Sequence, residues 1–423
     1  MSAPPGPAPV PRLALLRKPG FVLLVAGQGV SLIGDAALRV ALIVYVIQRT
    51  GSAGDLGLVT AAFMLPNLLT FFVSGAVIDR LPRRTVMLAS DAARTALTAI
   101  LAALATTTDP PLALVAALYA LFGVGDAFFL PAYRAYLPQI LEREALYAAN
   151  AVDAMARRGG LILGPVVGAL VVERWSAAAA FWVDAATFAI SVLSLLAIRV
   201  RRAAPAEAKP AGGGARAILR EATAGVRYLR AARWLGLLTV SAAIVNAGAA
   251  ASMDVVLPFL VRGEYGERSS ALGALYAVQA GGALIGAVAA GLVGARLRRP
   301  AVAAPLVLAL MGLSVAGLAL TPAFPALVAL GLLYGFAVES AGVVVGTLLQ
   351  VHVPDAVLGR VSAIDYLISY SLMPLGVLLI GAVLPAIGVA AAFATTGAVM
   401  VLAAAAPLLA AKPTHRPLDE ATR

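Results

Sequence analysis

Long apolar stretches alternate along the chain with short polar or basic segments. A run of about 20 apolar residues is long enough to span the hydrocarbon core of a bilayer as an α-helix. Twelve stretches reach that length, and they predict an all-α, multi-pass membrane protein. The predicted spans are Phe21–Ile47, Leu56–Ile78, Val86–Thr106, Leu112–Tyr133, Ala149–Val172, Ala177–Ile198, Leu235–Val261, Ala271–Val293, Ala301–Leu320, Ala326–Leu349, Ala363–Ile387 and Val389–Ala410.

Basic residues are spread unevenly around these spans. When both termini are placed on one side, 26 of the 32 Lys and Arg residues lie on that side and four lie in the loops on the other side. Basic residues accumulate on the cytoplasmic side of membrane proteins. We therefore predict a plasma-membrane protein with both termini in the cytoplasm. The net charge of +11 follows from this asymmetry and does not indicate nucleic-acid binding.

A polar, basic segment between the sixth and seventh spans divides the chain into two halves. Its stretch Ala215–Arg230 places apolar and basic residues on different arcs of a helix. We predict an amphipathic helix on the anionic cytoplasmic leaflet, with a solvated linker as the alternative. The predicted organisation is a cytoplasmic tail at 1–20, a six-helix bundle at 21–198, a linker at 199–234, a second six-helix bundle at 235–410 and a tail at 411–423.

The two halves carry a degenerate repeat. Gly57 precedes Gly75 by the same spacing as Gly273 precedes Gly291, and an Arg-rich turn follows each copy. Repeated halves joined by a long central loop are a known plan of secondary transporters. The repeat therefore predicts two pseudo-symmetric six-helix bundles.

The composition excludes several classes of chemistry. With 61% hydrophobic and 13% charged residues and a mean hydropathy of +0.93, the chain cannot be an ordinary soluble enzyme. It has no Cys, and both of its His residues, His352 and His415, lie outside the spans, so thiolate or histidine chemistry in the membrane is not expected. Each of its three Lys residues precedes Pro, so no Gly-Lys-Ser/Thr phosphate loop exists. We predict no enzyme activity, no metal and no cofactor.

Two motifs carry a family resemblance. The segment 75–84, GAVIDRLPRR, resembles the signature loop of the major facilitator superfamily, with Pro82 where the family has Gly. The segment 160–169, GLILGPVVGA, resembles the fifth-helix motif of the drug:proton antiporters, with Ala151 and Ala169 at two of its Gly positions. The matching residues are Gly75, Asp79, Arg80, Arg83 and Arg84 in the first motif, and Gly160, Gly164, Pro165 and Gly168 in the second.

Further segments, at 27–35 and 353–361, resemble the enterobactin-exporter and macrolide-efflux group. The resemblance covers nearly the whole chain and implies the major facilitator fold. It also implies that Asp79 sits against the N-terminus of helix eleven as part of a cytoplasmic gate. The alternative for the loop is that its arginines only anchor it at the cytoplasmic face.

Small residues recur at every fourth position in two spans: Gly160, Gly164 and Gly168 in the fifth, and Gly282, Gly286, Ala290 and Gly294 in the eighth. Such stripes let helices approach closely. Helices five and eight meet across the two halves in the family, which implies a sliding contact. Static packing within one half is the alternative.

Acidic residues inside the spans are the candidate functional groups. A charged side chain at the bilayer centre costs roughly 2.5–3.5 kcal/mol, so each needs a partner, water or a proton. The acids are Asp35, Asp91, Asp126, Asp184, Asp254, Glu339 and Asp365. We rank Glu339 first as the proton-coupling site, ahead of Asp126, Asp35 and Asp254. Asp91 and Asp365 are expected at interfaces or gates, and Asp184 in a local polar network.

Two of these acids differ in their neighbours along the chain. Arg39 follows Asp35 by four residues, on the same helical face, so the pair either neutralises itself or keeps Asp35 available to a proton. No Lys or Arg lies between Arg299 and Arg360, and Glu339 is in the middle of that stretch. We therefore expect Glu339 to take up a proton.

These features predict a secondary transporter that exports an amphipathic organic compound, such as a drug, an antibiotic or a siderophore-like molecule, driven by a proton gradient. Its partners would be that substrate, protons and membrane lipids, and we expect a monomer. An importer or uniporter of a small metabolite is one alternative. A membrane enzyme and a non-transporting sensor are others, although the chain lacks the usual catalytic residues.

Overall fold

A computed structural model describes residues 15, 17–78, 80–142, 145–198, 215–266, 268–294 and 300–410. Within these residues the regular structure is helical and no strand occurs. The first half contains α1 Pro19–Thr50, α2 Ala53–Ile78, α3 Arg83–Thr107, α4 Leu112–Ile140, α5 Leu146–Arg174 and α6 Ala177–Ala197. The remainder contains α7 Ala215–Ala231, α8 Arg233–Ala250, a π-helical turn Ala251–Val256, α9 Leu257–Tyr265, α10 Ser269–Gly294, α11 Pro300–Gly317, α12 Phe324–His352, α13 Asp355–Ser371, α14 Met373–Ile387 and α15 Val389–Ala410.

The predicted spans appear as helices. Among the described residues, eleven helical segments are long and apolar enough to cross a membrane. The ninth predicted span appears as the shorter apolar helix Ala301–Gly317. The seventh and eleventh spans are each built from more than one helix, because α8 runs through the π-helical turn into α9, and α13 is followed closely by α14. The all-α, multi-span prediction is therefore confirmed.

The chain forms two compact units, and these units do not coincide with the two halves of the sequence. One unit comprises 1–45 and 62–209, and the other comprises 46–61 and 210–423. The segment 46–61, where α1 ends and α2 begins, belongs to the second unit because a glycine brings it close to α14. Gly57 lies against the backbone of Val377 and Gly381. Arg262 adds a hydrogen bond of 3.0 Å from its Nη1 to the carbonyl oxygen of Ile47.

The small-residue stripes pack inside their own units. In α5, Gly160, Gly164 and Gly168 lie against α1, where a Cβ would overlap the atoms of Leu32, Ile33, Ala36 and Ala37. In α10, Gly282 and Gly286 lie in the same way against the backbone of Leu332 and Phe336 in α12. At these glycines the structure thus has the static packing that was the alternative to a sliding contact.

Gly164→Ala should destabilise the first unit by about 1–3 kcal/mol, because the new Cβ overlaps Ala36 and the backbone oxygen of Ile33, which cannot move aside cheaply. Gly159→Ala is the matched control on the same helix, since no atom lies within 4 Å of its Cβ position. Thermal unfolding in detergent should show a lower midpoint for the first variant only. Equal midpoints would contradict the close α1–α5 contact.

The helix α7 in the linker packs on protein along its second half. Leu229 is buried with Leu235, Val361 and Ile364, and Tyr228 donates a 3.1 Å hydrogen bond to the backbone oxygen of His352. Gly225 allows a close approach to Arg360 and Ile364 of α13. The apolar face of this half therefore contacts protein and not the lipid leaflet that the amphipathic pattern predicts.

Candidate functional site

A buried arginine in the third span organises the polar core of the first unit. Arg94 of α3 has 2% of its side chain exposed. Its Nη2 lies 2.5 Å from Asp91 Oδ1, and its Nη1 lies 3.2 Å from Asp126 Oδ1 and 3.6 Å from Asp35 Oδ2. These four residues, which we call the Arg94 cluster, join α1, α3 and α4.

Glycine and serine residues allow this arrangement. A Cβ at Gly125 would lie 3.2 Å from Arg94 Cγ, so a glycine at this position lets α4 pass close to the arginine. Ser90 Oγ donates a 2.7 Å hydrogen bond to the carbonyl oxygen of Gly125. Asp91 and Arg94 are three residues apart and lie on one face of α3. The local sequence thus places the guanidinium beside carboxyl groups from two neighbouring helices.

Neutral groups hold the cluster in position. Ser191 of α6 donates a 2.6 Å hydrogen bond to Asp91 Oδ2. Asn67 of α2 donates to Asp126 Oδ2 at 3.0 Å and to the carbonyl oxygen of Gly123 at 3.1 Å.

Aromatic rings surround the guanidinium. Arg94 Cζ lies 4.3 Å from the ring centroid of Phe188 and 4.8 Å from that of Phe129, so cation–π contacts add to the ion pairs. The arginine therefore has a fixed position and orientation.

The carboxyl groups of the cluster differ in access. The side chain of Asp91 is fully buried, whereas 24% of the Asp35 side chain and 40% of the Asp126 side chain is exposed. Charged side chains within a span face water or protein and avoid lipid. Asp35 and Asp126 are therefore the two carboxyl groups of the cluster with exposed surface.

A fourth acid is buried beside the cluster. Asp184 of α6 has no exposed surface, and neither of its carboxylate oxygens has a hydrogen-bond partner among the described residues. It lies against Gly34, the neighbour of Asp35, where any side chain would overlap Asp184 and Thr187. Asp91 and Asp184 are thus two fully buried carboxyl groups in the polar core of the first unit.

The second unit contains a smaller polar group in the second half of α13. Asp365 is 8% exposed and accepts a 2.5 Å hydrogen bond from Thr239 Oγ1 of α8. Asp365 and Glu339 both lie close enough to Tyr370 to interact with it electrostatically. The ring of Tyr370 lies 4.5 Å from that of Tyr366. Glu339 of α12 therefore acts electrostatically on Tyr370 of α13.

Asp254 lies on the π-helical turn of the seventh span. Such turns are rare in proteins, and many of those that occur lie at functional sites. Tyr276 of α10 donates a 2.8 Å hydrogen bond to the carbonyl oxygen of Met253, and Asp254 interacts electrostatically with Tyr334 of α12. Asp254 therefore lies at an irregular, polar point of the second unit, separate from Asp365.

The signature loop contributes a helix cap. Arg84 donates from Nε to the carbonyl oxygen of Leu195 and from Nη2 to that of Leu196, both at 3.0 Å. A guanidinium is favourable at the C-terminus of a helix, so Arg84 fixes the end of α6. Gly75 and Arg80 are exposed, Arg83 is partly buried, and Asp79 lies outside the described residues.

The structure brings together only some of the residues that the sequence singled out. Asp35 and Asp126 meet at Arg94, while Glu339 and Asp254 lie in the other unit. Arg39, the predicted partner of Asp35, is exposed and does act on Asp35 electrostatically, but Arg94 approaches that carboxyl to 3.6 Å.

Asp91, expected at an interface or gate, is the fully buried partner of Arg94 and accepts a hydrogen bond from Ser191 of α6. Asp184, expected in a local polar network, lies beside the Arg94 cluster, and its carboxylate oxygens have no hydrogen-bond partner among the described residues. Sequence reasoning missed Arg94 itself. The available signal was the Asp91-x-x-Arg94 spacing inside an apolar span.

The chain matches a known family along most of its length. The family model described as Major Facilitator Superfamily matches residues 24–373. The multidrug efflux pump Tap of Mycolicibacterium fortuitum is 29% identical over 399 residues, which cover 89% of this chain and 90% of that protein. The macrolide efflux protein A of Streptococcus pyogenes is 28% identical over 180 residues, covering 43% of this chain and 44% of that protein.

Solved structures share the fold. The crystal structure of the nucleoside transporter NupG has a TM-score of 0.77 at 14% identity, covering 93% of this chain and all of that one. A bacterial homologue of the human lysosomal transporter Spinster has a TM-score of 0.67 at 14% identity, covering 93% of this chain and 95% of that one.

Proposed function

Because the chain belongs to the major facilitator superfamily and is a multi-pass membrane transporter, we propose that it exports an amphipathic organic compound from the cell in exchange for protons. The direction of transport rests on similarity to one protein named a multidrug efflux pump and one named a macrolide efflux protein. The observation that carries the proton coupling is the Arg94 cluster. It places one guanidinium among three carboxyl groups, two of them partly exposed.

Asp126 and Asp35 compete for the same nitrogen of Arg94, since both approach Nη1. A proton that binds to one of these carboxyl groups weakens the ion pair between that group and the guanidinium. The ion pair between the guanidinium and the second carboxyl group then becomes stronger. A proton that binds more tightly in one access state than in the other shifts the equilibrium between them. Substrate that reaches the exposed carboxyl groups would displace the proton, which gives exchange.

The proton gradient is sufficient for concentrative export. A membrane potential of about 100 mV contributes ~2.3 kcal/mol per charge. One pH unit contributes ~1.4 kcal/mol. Together they support a substrate gradient of roughly 500-fold per proton.

Glu339 is the first candidate for the proton-coupling site of the second unit, and Asp254 is the second candidate. Glu339 shares its surroundings with Tyr370 and Asp365, so a proton there would change a group at the start of the eleventh span. We further propose that Asp79 contributes to a cytoplasmic gate. Arg84 of the same motif fixes the end of α6.

A susceptibility panel tests the export function. The protein is expressed in a host that lacks its own efflux pumps, and amphipathic antibiotics and dyes are tested with and without the protein. We expect lower accumulation of at least one compound, and the difference should disappear when a protonophore collapses the gradient. Higher accumulation in expressing cells would instead support the importer.

Topology gives a further prediction, because 26 of the 32 basic residues lie on the side of the termini. A reporter that is active only in the cytoplasm should be active when it is fused after Arg423. The same reporter inserted after Asp109, between α3 and α4, should be inactive. The opposite pair of results would overturn the proposed orientation.

A further inference from the structure

A cavity of about 630 Å³ lies between the last turns of α4 and the first turns of α5. It is separate from the Arg94 cluster, and none of the cluster residues lines it. Its wall contains the arginines Arg134, Arg157 and Arg158 and the acid Asp153. The formal charge of these side chains is positive by two, at a place where the two helices come together.

The acid of the cavity wall is bound to a hydroxyl group and, within the described ranges, forms no salt bridge with Arg134 or Arg157. Asp153 accepts a 2.5 Å hydrogen bond from Tyr133 and is directed to that hydroxyl group. In the part of the chain that the structure describes, no salt bridge joins Arg134 or Arg157 to an acid, although Asp153 is only one helical turn from Arg157. The two guanidinium groups are therefore available to an external anion.

The rest of the wall is apolar. Leu130, Leu137, Leu146 and Leu161 line the cavity beside the arginines. A ligand that satisfies both surfaces carries an anionic group and a hydrocarbon chain. Arginine is well suited to the anionic part, because its planar fork of donors matches the oxygens of a phosphate.

The depth of the cavity fits a membrane lipid. Arg134 is six residues before the end of α4, and Arg157 is eleven residues after the start of α5. At 1.5 Å per residue these positions are roughly 9 Å and 16 Å from the helix ends, so Arg134 lies near the boundary between headgroups and hydrocarbon and Arg157 about 7 Å further in. Basic pockets between membrane helices on the cytoplasmic side bind the headgroups of anionic lipids.

We infer that this cavity binds an anionic phospholipid, with its phosphate on Arg134 and Arg157 and its acyl chain along the leucines. The lipid bridges the end of α4 and the start of α5, which are joined only by the short segment 141–145. A phosphate on both arginines would stabilise this junction. The inference rests on the proposed cytoplasmic orientation of this end of the helices, and it is independent of the direction and of the energy source of transport.

Lipid binding to the purified full-length protein tests this inference. The protein in detergent is mixed with phosphatidylglycerol or with phosphatidylcholine of the same acyl chains, and bound lipid is counted by native mass spectrometry. The unaltered protein should prefer phosphatidylglycerol. The double variant Arg134→Gln, Arg157→Gln should lose at least tenfold of its affinity for that lipid, at about fivefold per arginine.

Two further variants separate the site from general effects. Arg174→Gln removes an exposed charge at the other end of α5 and should leave the preference unchanged. Asp153→Asn keeps an acceptor for Tyr133 and removes the one negative charge, so phosphatidylglycerol should bind several-fold more tightly.

Three results would overturn the inference. The first is equal binding of phosphatidylglycerol by the double variant and the Arg174→Gln control. The second is weaker binding after Asp153→Asn in a protein whose unfolding temperature is unchanged. The third is complete displacement of the lipid by millimolar glycerol phosphate, which would assign the cavity to a soluble phosphate compound.

Discussion

Arg94→Gln should abolish accumulation against a gradient and should destabilise the first unit by about 3–5 kcal/mol. The arginine is 2% exposed and is the counter-charge of Asp35, Asp91 and Asp126. Removing one partner of a buried ion pair leaves an uncompensated charge, which is far more costly than losing the pair as a whole. Thermal unfolding in detergent and uphill transport in vesicles measure the two effects.

The double variant Arg94→Gln, Asp91→Asn should recover part of the stability, because it also removes the buried negative charge that Arg94→Gln leaves without a partner. It should not recover transport, because Arg94 is still missing. Arg39→Gln is the matched control, since it removes an arginine that is exposed on α1. Its effect on stability should be small. An Arg94→Gln protein with unchanged unfolding and normal pumping would show that the cluster is neither structural nor functional.

Asp126→Asn should reduce the proton-driven substrate gradient from as much as roughly 500-fold to none, while substrate binding is retained. The amide keeps the shape of the carboxyl group and can still accept the hydrogen bond from Asn67. It cannot exchange a proton. The paired measurements are substrate affinity in detergent and accumulation under an imposed pH gradient.

Glu339→Gln is the companion variant in the second unit. It mimics a permanently protonated Glu339, and the sequence alone predicts that it also abolishes uphill transport. If Glu339→Gln stops pumping and Asp126→Asn does not, the coupling site lies in the second unit and the role proposed for the Arg94 cluster is wrong. Loss of pumping in both variants would place proton-dependent steps in both units.

Most of the helical architecture could be predicted because a membrane span leaves a local signal, a run of about 20 apolar residues. The unit boundary could not. Residues 46–61 belong to the second unit through the approach of Gly57 to Val377 and Gly381, a contact more than 300 residues apart in sequence. Nothing in the local pattern around Gly57 distinguishes that glycine from others in apolar spans.

The sequence identifies individual acidic residues of the site, but it does not show which of them lie together in the structure. An acid within a span is conspicuous, so Asp35 and Asp126 were found. Their shared partner was missed because helical spacing relates Asp35 only to Arg39 on its own helix, whereas Arg94 reaches it from α3. Asp184 was ranked last among the acids for a similar reason, because its burial depends on its contact with Gly34 of a different helix, α1.

Proton movement coupled to substrate tests the central claim most directly. The purified protein is reconstituted into vesicles that enclose a pH-sensitive dye, with the membrane potential clamped and no initial pH difference. Adding a substrate identified by the susceptibility panel on one side should drive protons in the opposite direction. Asp126→Asn should remove that pH change. Substrate uptake at a normal rate with no pH change in the unaltered protein would contradict proton exchange and would leave a uniporter of the same fold.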